Sequence, residues 1–126
     1  MFDLTSPEGY RYAQQVGEQL FVAGQVPLDT KMCVVGVDNP KAQARQCLDN
    51  LQNLIQRYDF DVTDIRQIVV YVTGEKNNLT AAWHEVVSWF GGETPPATLL
   101  GVSNLGYDHQ IVEIDATVMK NVEMQT

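Results

Sequence analysis

The stretch DIRQIVVYVTG, Asp64 to Gly74, says most about the architecture of this chain. It is rich in β-branched residues, apolar on both sides of its alternation from Ile68 to Val72, and stopped by a glycine. That is the pattern of a buried strand inside a sheet rather than one with a wetted face. Upstream, Ala44, Cys47, Leu48, Leu51, Leu54, Ile55 and Tyr58 recur at spacings of three and four, one apolar stripe on a helix of about five turns. Asp38-Asn39-Pro40 supplies an N-cap candidate and a proline for the first helical position. Downstream, Leu79, Ala82, Trp83, Val86 and Phe90 share one face of a second helix, which Asn78 or Thr80 can cap and Gly91-Gly92 stops.

The remaining segments read as strands. YRYAQQVGEQLFVAGQ splits at Gly17-Glu18 into a β-hairpin, Tyr10 to Val16 paired with Gln19 to Gln25. KMCVVGV, residues 31–37, is a third extended piece. Pro95-Pro96 fix a turn that delivers a strand from about Thr98 to Val102, and Gly106-Tyr107-Asp108 leads into a last strand, HQIVEIDATVMK. In that strand Ile111, Glu113 and Asp115 project to one side, and Val112, Ile114, Ala116 and Val118 to the other. The order β-β-(β)-α-β-α-β-β predicts a single α+β domain over residues 1–126, with both helices on one face of a mixed sheet. Two helices leave the other face to water or to another subunit. The apolar run in QIVVYVTG favours the subunit, while the outer strands fit a polar surface better.

Totals narrow the function classes. The chain has 126 residues, 44% of them hydrophobic and 19% charged, as in an ordinary soluble globular protein. Eight Lys and Arg against sixteen Asp and Glu give a net charge of −8, with the basic residues scattered. Nucleic acid and anionic membrane are therefore not expected partners. Cys33 and Cys47 have no CxxC spacing, and His84 and His109 are the only histidines, so no metal site is indicated. No targeting segment or apolar run long enough for a membrane is visible, and the default location is the cytoplasm. Nucleophile-elbow, dinucleotide and Walker patterns are absent. Gly24, without a second glycine nearby, reads as a bulge or a close backbone approach rather than a phosphate nest.

Three segments together resemble a known family in order and spacing: VAGQVPLD from Val22, QARQCLDNLQNLI from Gln43, and PPATLLGVSNL followed by VEIDATV. They are similar to the signature segments of the RidA family, also called YjgF or L-PSP, over nearly the whole chain. The resemblance implies a chorismate-mutase-like subunit assembled as a homotrimer, with the sheets lining a central barrel and small-molecule clefts between subunits. It implies hydrolysis of enamine and imine intermediates to a ketoacid and ammonia without a cofactor. In that chemistry an arginine clamps the substrate carboxylate and a glutamate positions the attacking water. Carried over by residue, the water-positioning glutamate falls on Glu113, with Asp115 a second acid. The arginine position falls on Ala97, a small hydroxyl residue on Thr98, a cysteine on Leu99 and an asparagine on Trp83. Ala23 and Gly24 match the second-strand pair, and Tyr10 or Tyr12 the family tyrosine. Trp83, on an apolar stripe, also reads as core. The sequence thus leads to a small-metabolite-binding homotrimer without the arginine-dependent reaction, or to an imine deaminase in which Glu113 positions water.

Overall fold

The computed structural model describes residues 11–120. Asn39 caps the first helix, α1 (Pro40–Gln56): its side chain accepts from Ala42 N at 3.0 Å, and Pro40 takes the first position. The stripe that the sequence spacing requires, from Ala44 to Ile55, is buried. Five strands form one sheet: β1 (Ala13–Val16), β2 (Gln19–Val22), β3 (Ile65–Thr73), β4 (Ala97–Val102) and β5 (Val112–Met119). Their order is β1-β2-β5-β3-β4, antiparallel throughout except for β3 and β4. That parallel pair is joined through the second helix, α2 (Lys76–Trp89), the connection that parallel strands need.

The period-2 alternation divides the sheet cleanly. Ile68, Val70 and Val72 on β3, and Val112, Ile114 and Val118 on β5, lie against the helices with no accessible surface. Register places Val69, Tyr71, Glu113 and Asp115 on the opposite, open face. The helices are fastened to each other by Arg45 Nε to Glu85 Oε2 at 2.9 Å and by Trp89 Nε1 donating to Asp49 Oδ1 at 3.0 Å. The cation pair is largely exposed on the arginine side, so packing of the two apolar faces carries more of the contact.

Four boundaries differ from the sequence expectation. The hairpin is shorter, ending at Val22, with Gln25 returning to pair with Ile114 of β5; Tyr10 lies outside the described residues. Residues 31–37 form no strand, only one bridge between Leu28 and Val34. Asp29 Oδ1 accepts from Lys31 N and Cys33 N, and Met32 and Gly36 take positive φ, so local turns win over extension. Neither Asn78 nor Thr80 caps α2, which starts earlier, at Lys76. Gly74, at φ +93, turns the chain straight from β3 into the helix, and Asn78 Nδ2 donates back to Thr73 O at 3.0 Å. A side chain at 74 would also strike Asn78, at 2.4 Å from its Nδ2. The last strand begins at Val112 rather than His109, whose φ of 68 breaks extension.

One polar side chain ties the layers together. Gln43, on the buried face of α1 with no accessible surface, accepts from Ile111 N at 2.7 Å and Val112 N at 3.2 Å. Its Nε2 donates to His109 O at 2.8 Å and to Gly36 O at 3.2 Å. Gln43→Leu keeps the volume but leaves two buried backbone donors unpaired, each costing about 1 to 3 kcal/mol. A urea midpoint corresponding to a loss of roughly 2 to 6 kcal/mol is expected, with the m-value unchanged.

Candidate functional site

Strands β3 and β5 put two carboxylates on the open face, two residues apart and so about 6.6 Å along the chain. Glu113 stands opposite Tyr71, and Asp115 opposite Val69. Both acids are half-buried. Each is oriented by a neutral donor: Gln110 Nε2 lies 3.2 Å from Glu113 Oε1, and Tyr71 reaches diagonally to place its hydroxyl 2.8 Å from Asp115 Oδ2. Thr98 and Leu100, on β4 beside Val69 and Tyr71, share this face.

Gly24 supplies space here rather than an unusual φ. A Cβ built on it would fall 2.3 Å from Glu113 Oε2, so any side chain at 24 would displace the carboxylate. The carboxylate therefore lies directly over the Gly24 backbone, the close approach that an isolated glycine in VAGQVPLD suggests. Ala23 sits beside it, its N–H donating to Tyr12 O at 2.8 Å, so the start of the hairpin is tied to the edge of the site.

The other residues singled out from the sequence lie elsewhere in the chain. Ala97 and Leu99 pair with Ile68 and Val70 and so point to the helix side, where both pack on the core. A Cβ on Gly101, next in that alternation, would meet Leu79 of α2 at 3.7 Å. Trp83, on α2, also packs on the core. Two groups result: Gly24, Thr98, Glu113 and Asp115 on the open face, and Trp83, Ala97 and Leu99 along the α2–β4 side. Sequence reasoning did not single out Tyr71, Gln110 or Gln43. Gln43 had a signal, a polar residue within the apolar stripe of α1; Gln110, in a turn before a strand, had none.

The electrostatics follow from this placement. The hydrogen bond to Asp115, then burial, then the Asp115 and Glu113 charges raise Tyr71 above its ordinary pKa. Burial first, and the Glu113 charge second, push the Cys47 thiol well above its ordinary value, so it stays neutral with Sγ 3.7 Å from Val112 O. Arg66, at the far end of β3, is engaged with Met119 O through Nε at 3.1 Å. Among the described residues no group of three or more His, Cys, Asp and Glu is placed to hold a metal ion, and no helix is long and apolar enough to cross a membrane. A separate groove of about 620 Å³ lies where β3 begins, lined by Ile65, Arg66, Phe90, Glu93, Pro95 and Pro96. It contains neither acid, and Ile65 is six residues, about 20 Å, from Tyr71 along the strand.

Set beside known proteins, residues 3–120 match the family model described as Endoribonuclease L-PSP. The chain belongs to this family, the RidA/YjgF/L-PSP proteins. A RutC family protein of Pyrococcus horikoshii is 32% identical over 112 residues, covering 88% of this chain and 86% of that protein. A Salmonella typhimurium protein named 2-iminobutanoate/2-iminopropanoate deaminase is 27% identical over 113 residues, covering 88% and 87%. The crystal structure of the Escherichia coli YjgF gene product superposes with a TM-score of 0.81 at 24% identity, covering 92% of this chain and 91% of that one. The mixed sheet with two helices on one face is the RidA fold.

Because Tyr71 titrates higher when folded than the unfolded value of about 10, its protonated form contributes stability that is complete below about pH 10 and fades as the pH climbs through the folded value. Tyr71→Phe removes that dependence. Denaturation midpoints followed from about pH 8 to about pH 11 should fall more steeply in the parent protein than in the variant, and parallel curves would contradict the assignment.

Proposed function

We propose that the protein is a homotrimer that binds a small neutral or cationic metabolite in clefts between its subunits, without an arginine-dependent imine hydrolysis. The observation that carries this reading is how the acids are held: among the described residues, Glu113 and Asp115 take their hydrogen bonds from Gln110 and Tyr71 rather than from a cation. Two carboxylates with neutral partners repel a ligand carboxylate and attract an ammonium or an uncharged polar group. On the sequence match, the position that would hold the compensating arginine is Ala97.

Assembly is supported by the open face. Val16, Phe21, Leu100 and Met119, which register assigns to it, are between 40 and 58% exposed. A run of such residues over one sheet is more than scattered surface apolarity and suits a subunit contact. The split of the candidate residues supports a shared cleft as well. One protomer cannot join Glu113 to Trp83, Ala97 and Leu99 across its own sheet, whereas the α2–β4 edge of one subunit against the open face of another can. RNA is disfavoured as a ligand, because net charge −8 and two acids on this face oppose a polyanion. Sedimentation equilibrium is expected to give three copies of 14.1 kDa, about 42 kDa, and a monomer would remove the shared cleft.

A second reading is favoured by one specific arrangement, the seating of Glu113 between Gly24 and Gln110. A carboxylate fixed in this way can take a proton from water as its oxygen adds to a C=N carbon and the nitrogen is protonated. The carbinolamine then expels ammonia and leaves a carbonyl, so that imine and water become ketone and ammonia. The deaminase name of a 27% identical relative points the same way. An amino-acid oxidase coupled assay separates the two. The first reading expects no acceleration of ammonia release, together with a rise in melting temperature on adding ethylamine that Glu113→Gln diminishes. Acceleration abolished by Glu113→Gln would establish the second.

A further inference from the structure

The carboxylate of Glu113 is braced from a side chain outside every segment that carries the family resemblance. Gln110 is 4% exposed, and its amide has a forced orientation. Tyr107 N, which can only donate, lies 3.1 Å from Oε1, so the NH₂ end must face the other way. From there it donates to Val112 O at 3.1 Å and to Glu113 Oε1 at 3.2 Å. The backbone on both sides of Gln110 is fixed independently, since Gln43 binds His109 O, Ile111 N and Val112 N. The turn is therefore held without the Gln110–Glu113 bond, and that bond acts on the acid. Glu113 Oε2, meanwhile, is set over Gly24.

We propose that Gln110 is the positioning residue of this site: by holding Glu113 Oε1 it fixes the orientation in which the carboxylate, with Oε2 over Gly24, meets ligand or water. The inference rests on the reading of Glu113 as the acid of the site, and it holds whether that acid binds a cation or positions water. It acts through Glu113 and touches no substrate itself.

A double-mutant cycle tests it on the full-length protein. Gln110→Leu removes the amide. Gln110→Met, of similar length and likewise without the donor, serves if the leucine variant folds poorly. Each is made in the parent and in the Glu113→Gln background, with circular dichroism confirming the fold. Ethylamine affinity is read by thermal shift, and ammonia release where the parent accelerates it. Losing one hydrogen bond to a charged group should weaken ethylamine binding roughly tenfold in the parent and leave the residual binding of the Glu113→Gln protein nearly unchanged, while ammonia release is compared in the parent background alone. For hydrolysis the loss should fall on kcat with KM little altered. Equal losses in both backgrounds would mean a merely structural glutamine and overturn the proposal. A parent protein that neither binds ethylamine nor hydrolyses imine would count against the Glu113 reading, and there the ¹³C resonance of the Glu113 carboxyl decides about Gln110 separately. It should move on Gln110→Met and Gln110→Leu, and a resonance that stays in place would refute the positioning.

Discussion

The buried amide of Gln43 is the contact on which the rest of the molecule depends. A glutamine without accessible surface is tolerable only if both ends of its amide are satisfied, and here four hydrogen bonds do so. Their partners lie 66 to 69 residues away at the start of β5 and seven residues back at Gly36, so one side chain sets the height of helix α1 above the sheet and the point where β5 begins. From that point the alternation decides which residues of VEIDATV enter the core and which reach the open face. A shift of one residue would bury Glu113 and Asp115 under the helices and expose Val112 and Ile114. The candidate site is thus a consequence of register, and register is held by a polar bond between layers as well as by apolar packing.

Much of this was legible in the sequence wherever periodicity and stop signals agree. Helix α1 follows from a stripe with an Asn-Pro start, β3 from an apolar run closed by glycine, and the two-sided character of β5 from strict alternation. The close approach at Gly24 was readable from its isolation. The failures share a cause, which is local hydrogen bonding that composition does not display. Residues 31–37 look extended, yet the Asp29 carboxylate draws the backbone into turns. Asn78 looks like a cap, yet its amide is used on the carbonyl of Thr73, because the turn at Gly74 lets the helix start earlier, at Lys76.

The site was legible as residue types and not as an arrangement. Glu113 and Asp115 interrupt an apolar strand and draw notice. Their partners do not: Tyr71 is an ordinary strand former until the β3–β5 register brings its hydroxyl diagonally to Asp115, and Gln110 is an ordinary turn residue until the amide is oriented. Nor does a linear match reveal that Ala97 and Leu99 face the helices while Thr98 faces the acids. Alternation along a six-residue strand sends neighbours in sequence to opposite sides of a sheet.

The paired prolines before β4 have a further consequence. Strand β4 closes one side of the sheet, pairing among the described residues with β3 alone, and such an edge is a template onto which a misplaced extended chain can add. Pro96 gives its carbonyl to Ile68 N at 3.0 Å, and neither proline has an N–H to offer an incoming strand. The leading end of the edge is thereby blunted, so unspecific strand addition is obstructed there during folding.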